Sequence, residues 1–264
     1  MFKSVSKSIG MVLYLIAVQL LFSCIAVILK ANLDPEWMSA AYSCLETDGV
    51  FSIEYFKMMF SLIMPALVFA DIVIAAPLLI KACVSDKKPF HKIDLYWCVF
   101  ILAFGIIVNY IVSTVVDLIP AGTVSTEYSG LMNLVFSGNP LVILSATGIA
   151  APIIEEVIFR YYICNFYSKR STAVFMSALL FGLAHMNLVQ SSYAFVIGLL
   201  LAWLYVNTGN LLVPVLLHVA INLSSVIFEF VNSDTFVLST VIASFAFVLC
   251  TLIKELRKSR CVEC

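Results

Sequence analysis

The sequence predicts an all-α protein, a polytopic membrane helix bundle of about eight transmembrane helices forming one integral membrane domain over residues 1–264. Three observations lead there. Of its residues 62% are hydrophobic and only 12% charged, with a mean hydropathy of +1.07, whereas soluble domains are about half apolar. The apolar residues fall in runs approaching the roughly twenty residues that a membrane helix needs. Finally, the charges are confined almost wholly to the breaks between those runs.

Eight runs can be drawn: Ile9 to Leu29, Phe56 to Ile80, Leu95 to Val116, Leu141 to Tyr162, Thr172 to His185, Ser192 to Val206, Leu211 to Phe230 and Thr235 to Leu252. The fifth and sixth are the shortest. Basic residues gather at Lys3 and Lys7, at Lys81, Lys87, Lys88 and Lys92, at Lys169 and Arg170, and at Lys254, Arg257, Lys258 and Arg260. In an eight-span arrangement these lie on one side, and the intervening breaks are acidic or neutral (Asp34, Glu36, Glu46, Asp48, Glu54; Asp117, Glu127; Asp234). The positive-inside rule then puts both termini in the cytoplasm. The first run, behind Lys3 and Lys7, is too long for a signal peptide's apolar region and reads as a retained span. The breaks Ala31 to Tyr55 and Leu118 to Asn139 are rich in turn residues and should contain short surface or re-entrant pieces. Cys24, Cys98, Cys164 and Cys250 lie in or beside apolar runs and read as small hydrophobes. No basic patch suggests a nucleic-acid partner, and the natural surroundings are membrane lipid. Absence of organellar targeting fits a bacterial plasma membrane.

The chain is organised around Ile153-Ile154-Glu155-Glu156-Val157-Ile158-Phe159-Arg160, where two carboxylates and a guanidinium sit in a lipid-length run. A charge at a membrane helix centre costs about 3 kcal/mol or more, so such groups face a bundle interior and mark functional sites. Glu156 and Arg160, four apart, share a helical face and can pair; Glu155 lies roughly 100° away, without that partner. Two of the three histidines also fall in membrane runs, in Phe181-Gly182-Leu183-Ala184-His185 and His218-Val219-Ala220-Ile221-Asn222. Counting at about 1.5 Å per residue puts Glu155, His185 and His218 in one layer near mid-membrane. A carboxylate and an imidazole there can hold and deprotonate a water, and imidazole and amide N–H groups can donate to an oxyanion, which suits peptide hydrolysis. His91 reads as a surface residue and Phe181 as packing. Asp71, midway along the second run, either lines a cavity or caps a neighbouring helix.

At Glu155-Glu156-x-x-x-Arg160, Phe181-x-x-x-His185 and His218-x-x-x-Asn222 the sequence resembles the CAAX-processing and bacteriocin-immunity (CPBP, or Abi) family of intramembrane proteases, with a motif-bearing core at about 140–230. The resemblance implies an endopeptidase acting on a membrane-associated peptide or a prenylated, CAAX-like protein tail. It implies that Glu155 and His185 activate water, that His218 and Asn222 stabilise the oxyanion, and that Glu156 and Arg160 support them. Tyr161 departs from the glycine common in the family after the arginine, which bears on helix packing. Glu155, His185 and His218 could alternatively be three ligands of a zinc ion, although no His-Glu-x-x-His pair occurs; the reading without a cofactor is preferred. Two other functions fit the composition. One is a proton-coupled transporter, against which stand the amide of Asn222 and the absence of an internal repeat. The other is a non-catalytic immunity or partner-binding protein.

Overall fold

The computed structural model describes residues 2–48, 53–85, 89–120 and 122–262. Lys87, Lys88 and the terminal Glu263 and Cys264 lie outside them, as do the side chains of Asp48, Glu54, Glu127, Arg260 and Cys261. Among the described residues there is no strand. The helices are α1 (Phe2–Leu33), α2 (Pro35–Asp48), α3 (Ile53–Cys83), α4 (Leu95–Asp117), α5 (Thr123–Phe136), α6 (Pro140–Cys164), α7 (Arg170–Ala184), α8 (Leu188–Thr208), α9 (Leu212–Val231) and α10 (Asp234–Val262).

Seven of these are long and apolar enough to cross a membrane; α7, with 15 residues, is apolar but short. The eight runs expected from the sequence are thus seven full-length helices and one piece of about 22 Å at 1.5 Å per residue. The sixth run, one of the two shortest on paper, is the 21-residue α8. The turn-rich breaks hold α2 and α5, as their composition suggested. Leu13, Leu21, Phe69, Ile111, Trp203 and Phe245 stand outward and exposed, an apolar coat that only lipid can cover. The chain is an integral membrane protein.

The bundle is built round α6, the most buried of its long helices. Val157, Ile158 and Phe159 are at most 1% exposed. They pack with Leu15 of α1, Ile74 of α3, Phe181 of α7 and Val215 of α9 in two adjoining clusters. α7 and α8 form the closest helix pair, and α9 leans on α4. That last approach depends on Gly105, where a Cβ would come within 2.5 Å of the Ala220 Cβ and 3.0 Å of the Leu217 carbonyl. Small residues allow such contacts between membrane helices. α3 and α6 run in the same direction. Leu78 near the end of α3 and Ser85 just past it meet Tyr162 and Tyr161 near the end of α6, and Ile74, earlier in α3, packs with Ile154, earlier in α6. Parallel packing is what the second and fourth crossings of a bundle should show. α1 is tied in by Gln19 to Asp71 and by Ser8 to Tyr167.

α6 is not a regular α-helix. Residues 144–150 and 156–164 are wound as π-helix around one α turn, Ala151–Glu155. Such widening is uncommon and tends to occur at functional sites. Its local cause is Pro152. The Ala151 N–H reaches back five residues to the Ala146 carbonyl; in that register the next carbonyl, Thr147, needs an N–H from residue 152, and proline has none. The Thr147 oxygen instead accepts from Asn222 Nδ2 of α9 at 2.9 Å.

Candidate active site

The two adjacent glutamates have different surroundings. Glu156 is fully buried: Oε2 lies 3.0 Å from Arg160 Nε, and Oε1 accepts from His218 Nδ1 at 2.8 Å. The side chain of Glu155 is 24% accessible, and its Oε2 lies 3.7 Å from His218 Nε2. This is the division that helical spacing anticipates, with Glu156 on Arg160 and Glu155 off that face. What spacing did not anticipate is that His218 bridges both carboxylates. The four groups form a line across α6 and α9: Arg160, Glu156, His218, Glu155.

Arg160 is sealed by aromatic rings. Its Nη1 donates weakly to Ser177 Oγ at 3.5 Å, and Nη2 has no hydrogen-bond acceptor among the described residues. The face of Phe181 stands in, 4.6 Å from Cζ, as a ring can for a guanidinium. Ser177 Oγ in turn donates to the Phe159 carbonyl at 2.8 Å.

Phe181 is also what relates the two histidines. Its ring meets His185 edge-on at 4.9 Å and His218 at 5.5 Å, and it is 2% exposed. The packing role expected for it is therefore packing of the site itself. His185 closes α7, and its Nδ1 lies 2.8 Å from the Phe181 carbonyl. A carbonyl only accepts, so Nδ1 carries the proton, and in the neutral ring Nε2 is left as an acceptor. Met186 follows with φ 55, a left-handed conformation costing a non-glycine residue about 1–2 kcal/mol. The turn ends at Asn187, whose side chain accepts from the Gln190 N–H at 3.1 Å and caps α8.

Asn222 lies one turn beyond His218 on α9, and the two address different partners. One amide N–H of Asn222 serves the Thr147 carbonyl; the other has no acceptor among the described residues. Among the described residues no set of three His, Cys, Asp or Glu side chains converges to hold a metal ion. Tyr161 sits in the core at 9% exposure, its hydroxyl 2.7 Å from Ser85 Oγ, so the departure from glycine is absorbed by packing on the end of α3. His91 is exposed, while its backbone is clamped to Asn210. Among the described cysteines none is in a disulfide.

Residues 137–224, which contain Glu155, Glu156, Arg160, Phe181, His185, His218 and Asn222, match the family described as Type II CAAX prenyl endopeptidase Rce1-like. These residues are similar to that family. The resemblance read from the three motifs is borne out by this match, which covers about a third of the chain. Two curated proteins are similar. UPF0177 protein YxdF of Lactococcus lactis subsp. lactis (strain IL1403) is 25% identical over 49% of this chain and 73% of its own length. The protein named "Putative membrane peptidase YdiL" of Bacillus subtilis (strain 168) is 31% identical over 34% of this chain and 38% of its own length. No solved structure matches. The Rce1-like core thus runs from the loop before α6 to the middle of α9, and α1 to α5 lie outside it.

Proposed function

We propose that this protein is an intramembrane endopeptidase of CAAX type that hydrolyses a peptide bond with water activated at Glu155. The reading is supported by the Rce1-like core and by the likeness to a protein named as a membrane peptidase. The observation that carries it is the pair of adjacent glutamates with opposite surroundings. Glu156 is spent on Arg160 and His218, while Glu155 opens towards accessible space and touches the same imidazole.

In this reading a water sits between Glu155 and the Nε2 acceptor of His185. Its oxygen attacks the scissile carbonyl carbon as its proton passes to one of these bases. The carbonyl oxygen becomes an oxyanion and takes N–H donors from His218 Nε2 and the second amide hydrogen of Asn222. For that role His218 must carry both ring protons. With Nδ1–H held by Glu156, an imidazolium and Arg160 together balance the two glutamates, which a water-poor site favours. On collapse the C–N bond breaks, the proton passes to the leaving amine, and a carboxylate and an amine result. The substrate is a membrane-associated peptide or a lipidated protein tail. Both termini face the cytoplasm of a plasma membrane, supported by the basic breaks at Lys3, Lys7, Lys169 and Arg170.

The test is mass-spectrometric detection of new termini from a peptide library that includes prenylated tails, using purified wild type and Glu155→Gln. Removing a general base should lower the rate about 10²–10⁴-fold while the protein stays folded. Equal cleavage by both proteins refutes the assignment. A chelator arm separates water activated by Glu155 alone, which survives chelation, from a metal-dependent route, which does not.

A further inference from the structure

Asp71 is a buried carboxylate that the mechanism does not use. It is 5% exposed in the middle of α3, and Gln19 Nε2 of α1 donates to its Oδ1 at 2.9 Å; Oδ2 has no hydrogen bond among the described residues. Register fixes its depth. Tyr162 of α6 donates to the Leu78 carbonyl of α3 at 2.8 Å, and these helices are parallel. Ile74, three residues on from Asp71 and on the same face of α3, is fully buried in one cluster with Ile154 and Ile158 of α6, which sets Asp71 beside the turn of α6 that carries Glu155.

Asp71, Glu155 and Glu156 are three carboxylates in this part of the bundle, where Arg160 is the guanidinium and His218 the imidazole that pair with the two glutamates. If Arg160 and His218 balance the two glutamates, the surplus negative charge is on Asp71, whose one partner is a neutral amide. A carboxylate in that position, on the helix beside the one that carries Glu155, is placed to meet a side chain flanking the scissile bond rather than the bond itself.

We propose that Asp71, held by Gln19, is a substrate subsite that selects peptides carrying a cationic side chain next to the cleaved bond. The proposal names the substrate class of the peptidase read above and rests on that reading. It also assigns α1 and α3, outside the matched family core, a share in specificity.

The experiment uses full-length Glu155→Gln in nanodiscs and fluorescein-labelled apolar peptides in which one lysine is walked through successive positions, each with an acetyllysine twin of equal length and no charge. At one or two positions the lysine peptide should bind at least about tenfold more tightly than its twin, as a desolvated ion pair provides. Adding Asp71→Asn, which keeps an oxygen for Gln19 and removes the charge, should abolish that preference, and Asp71→Glu should retain it. Asp71→Ser serves if the asparagine protein does not fold. A clamp that merely joins α1 to α3 would leave the preference untouched, and equal binding of both twins at every position, or a preference indifferent to Asp71, overturns the proposal. Wild-type cleavage of the same peptides is read in parallel. Cleavage without an Asp71-dependent preference removes the subsite and leaves the peptidase; a preference that follows Asp71 without cleavage by wild type removes the peptidase and leaves the subsite.

Discussion

The hydrogen bond from Asn222 to the Thr147 carbonyl makes a prediction that separates structure from catalysis. Pro152 leaves that carbonyl without a backbone donor, and Asn222 Nδ2 supplies one at 2.9 Å. Asn222→Ala therefore strands an acceptor inside a membrane helix. Leaving a buried carbonyl unpaired costs about 1–3 kcal/mol. Hydrogen bonds between membrane helices average nearer 0.6 and reach about 1.7 kcal/mol, so a loss of about 1.5 kcal/mol is expected. In Pro152→Ala the new N–H of residue 152 can serve Thr147, and removing Asn222 should then cost about 1 kcal/mol less. A double-mutant cycle measured by denaturing-detergent titration of the purified protein, followed by circular dichroism, reads the difference directly. Additivity within about 0.3–0.5 kcal/mol is the signature of independent sites and would refute the account of Pro152 as the origin of the orphaned carbonyl. Activity gives the second half of the test. If the other amide hydrogen of Asn222 serves the oxyanion, Asn222→Ala loses about 10²–10³-fold in rate, and Pro152→Ala restores stability to it without restoring rate. Recovery of rate together with stability would leave Asn222 a purely structural residue.

Arg160→Met leaves Glu156 buried and without its cation, which typically costs about 3–5 kcal/mol, so the variant should be poorly recovered as a monodisperse peak in size-exclusion chromatography. Gly105→Ala forces α9 away from α4, because the new Cβ meets Ala220 at 2.5 Å; overpacking of this kind costs about 1–3 kcal/mol and should lower thermal stability and, by shifting His218, activity. Gly209 caps α8 at φ 65 with open space round its Cα, so Gly209→Ala should cost only the conformational penalty, about 1–2 kcal/mol, with activity unchanged. Outside the membrane spans, Asp34 is held below the usual carboxylate range by Lys30 Nζ at 2.6 Å and by the Trp37 N–H. A lowered folded-state value means that its contribution is complete above the ordinary carboxylate range and fades as pH falls through the lowered one. Hydrogen exchange at Trp37, corrected for intrinsic rate, should therefore accelerate on acidification, and Asp34→Asn should flatten that dependence.

Much of the bundle was legible because the bilayer imposes length on sequence. All eight apolar runs became helices, and the turn-rich breaks became α2 and α5. The short fifth run stayed short because α7 spans only the distance from Arg170 to His185, where the turn at Met186 stops it. The placement of Glu156 on Arg160 followed from i,i+4 spacing, which survives even the π-wound segment. At His218 and Asn222 spacing tells only part. They are also four apart, which invited a shared target, and each in addition has a partner of its own, Glu156 for the imidazole Nδ1 and Thr147 for one amide hydrogen. Neither partner can be read from α9 alone. The first depends on how α9 meets α6, and the second on a carbonyl freed by a proline seventy residues earlier.

Asp71 shows the same limit from the other side. Its sequence context is that of a lone carboxylate in a membrane helix, which offers a cavity and a cap equally well. The choice turned on how α3 lies along α6, which the Tyr162–Leu78 and Tyr161–Ser85 contacts and the packing of Ile74 on Ile154 fix. Of the three carboxylates brought into this part of the bundle, Glu156 is the one with a guanidinium partner. On the proposed reading each has a distinct task set by surroundings rather than by chemistry: Glu156 pairs with Arg160 and holds His218, Glu155 is left accessible, and Asp71 stands on a helix outside the matched segment. A division of that kind would let substrate choice change through α1 and α3 while the hydrolytic line through α6, α7 and α9 stays fixed.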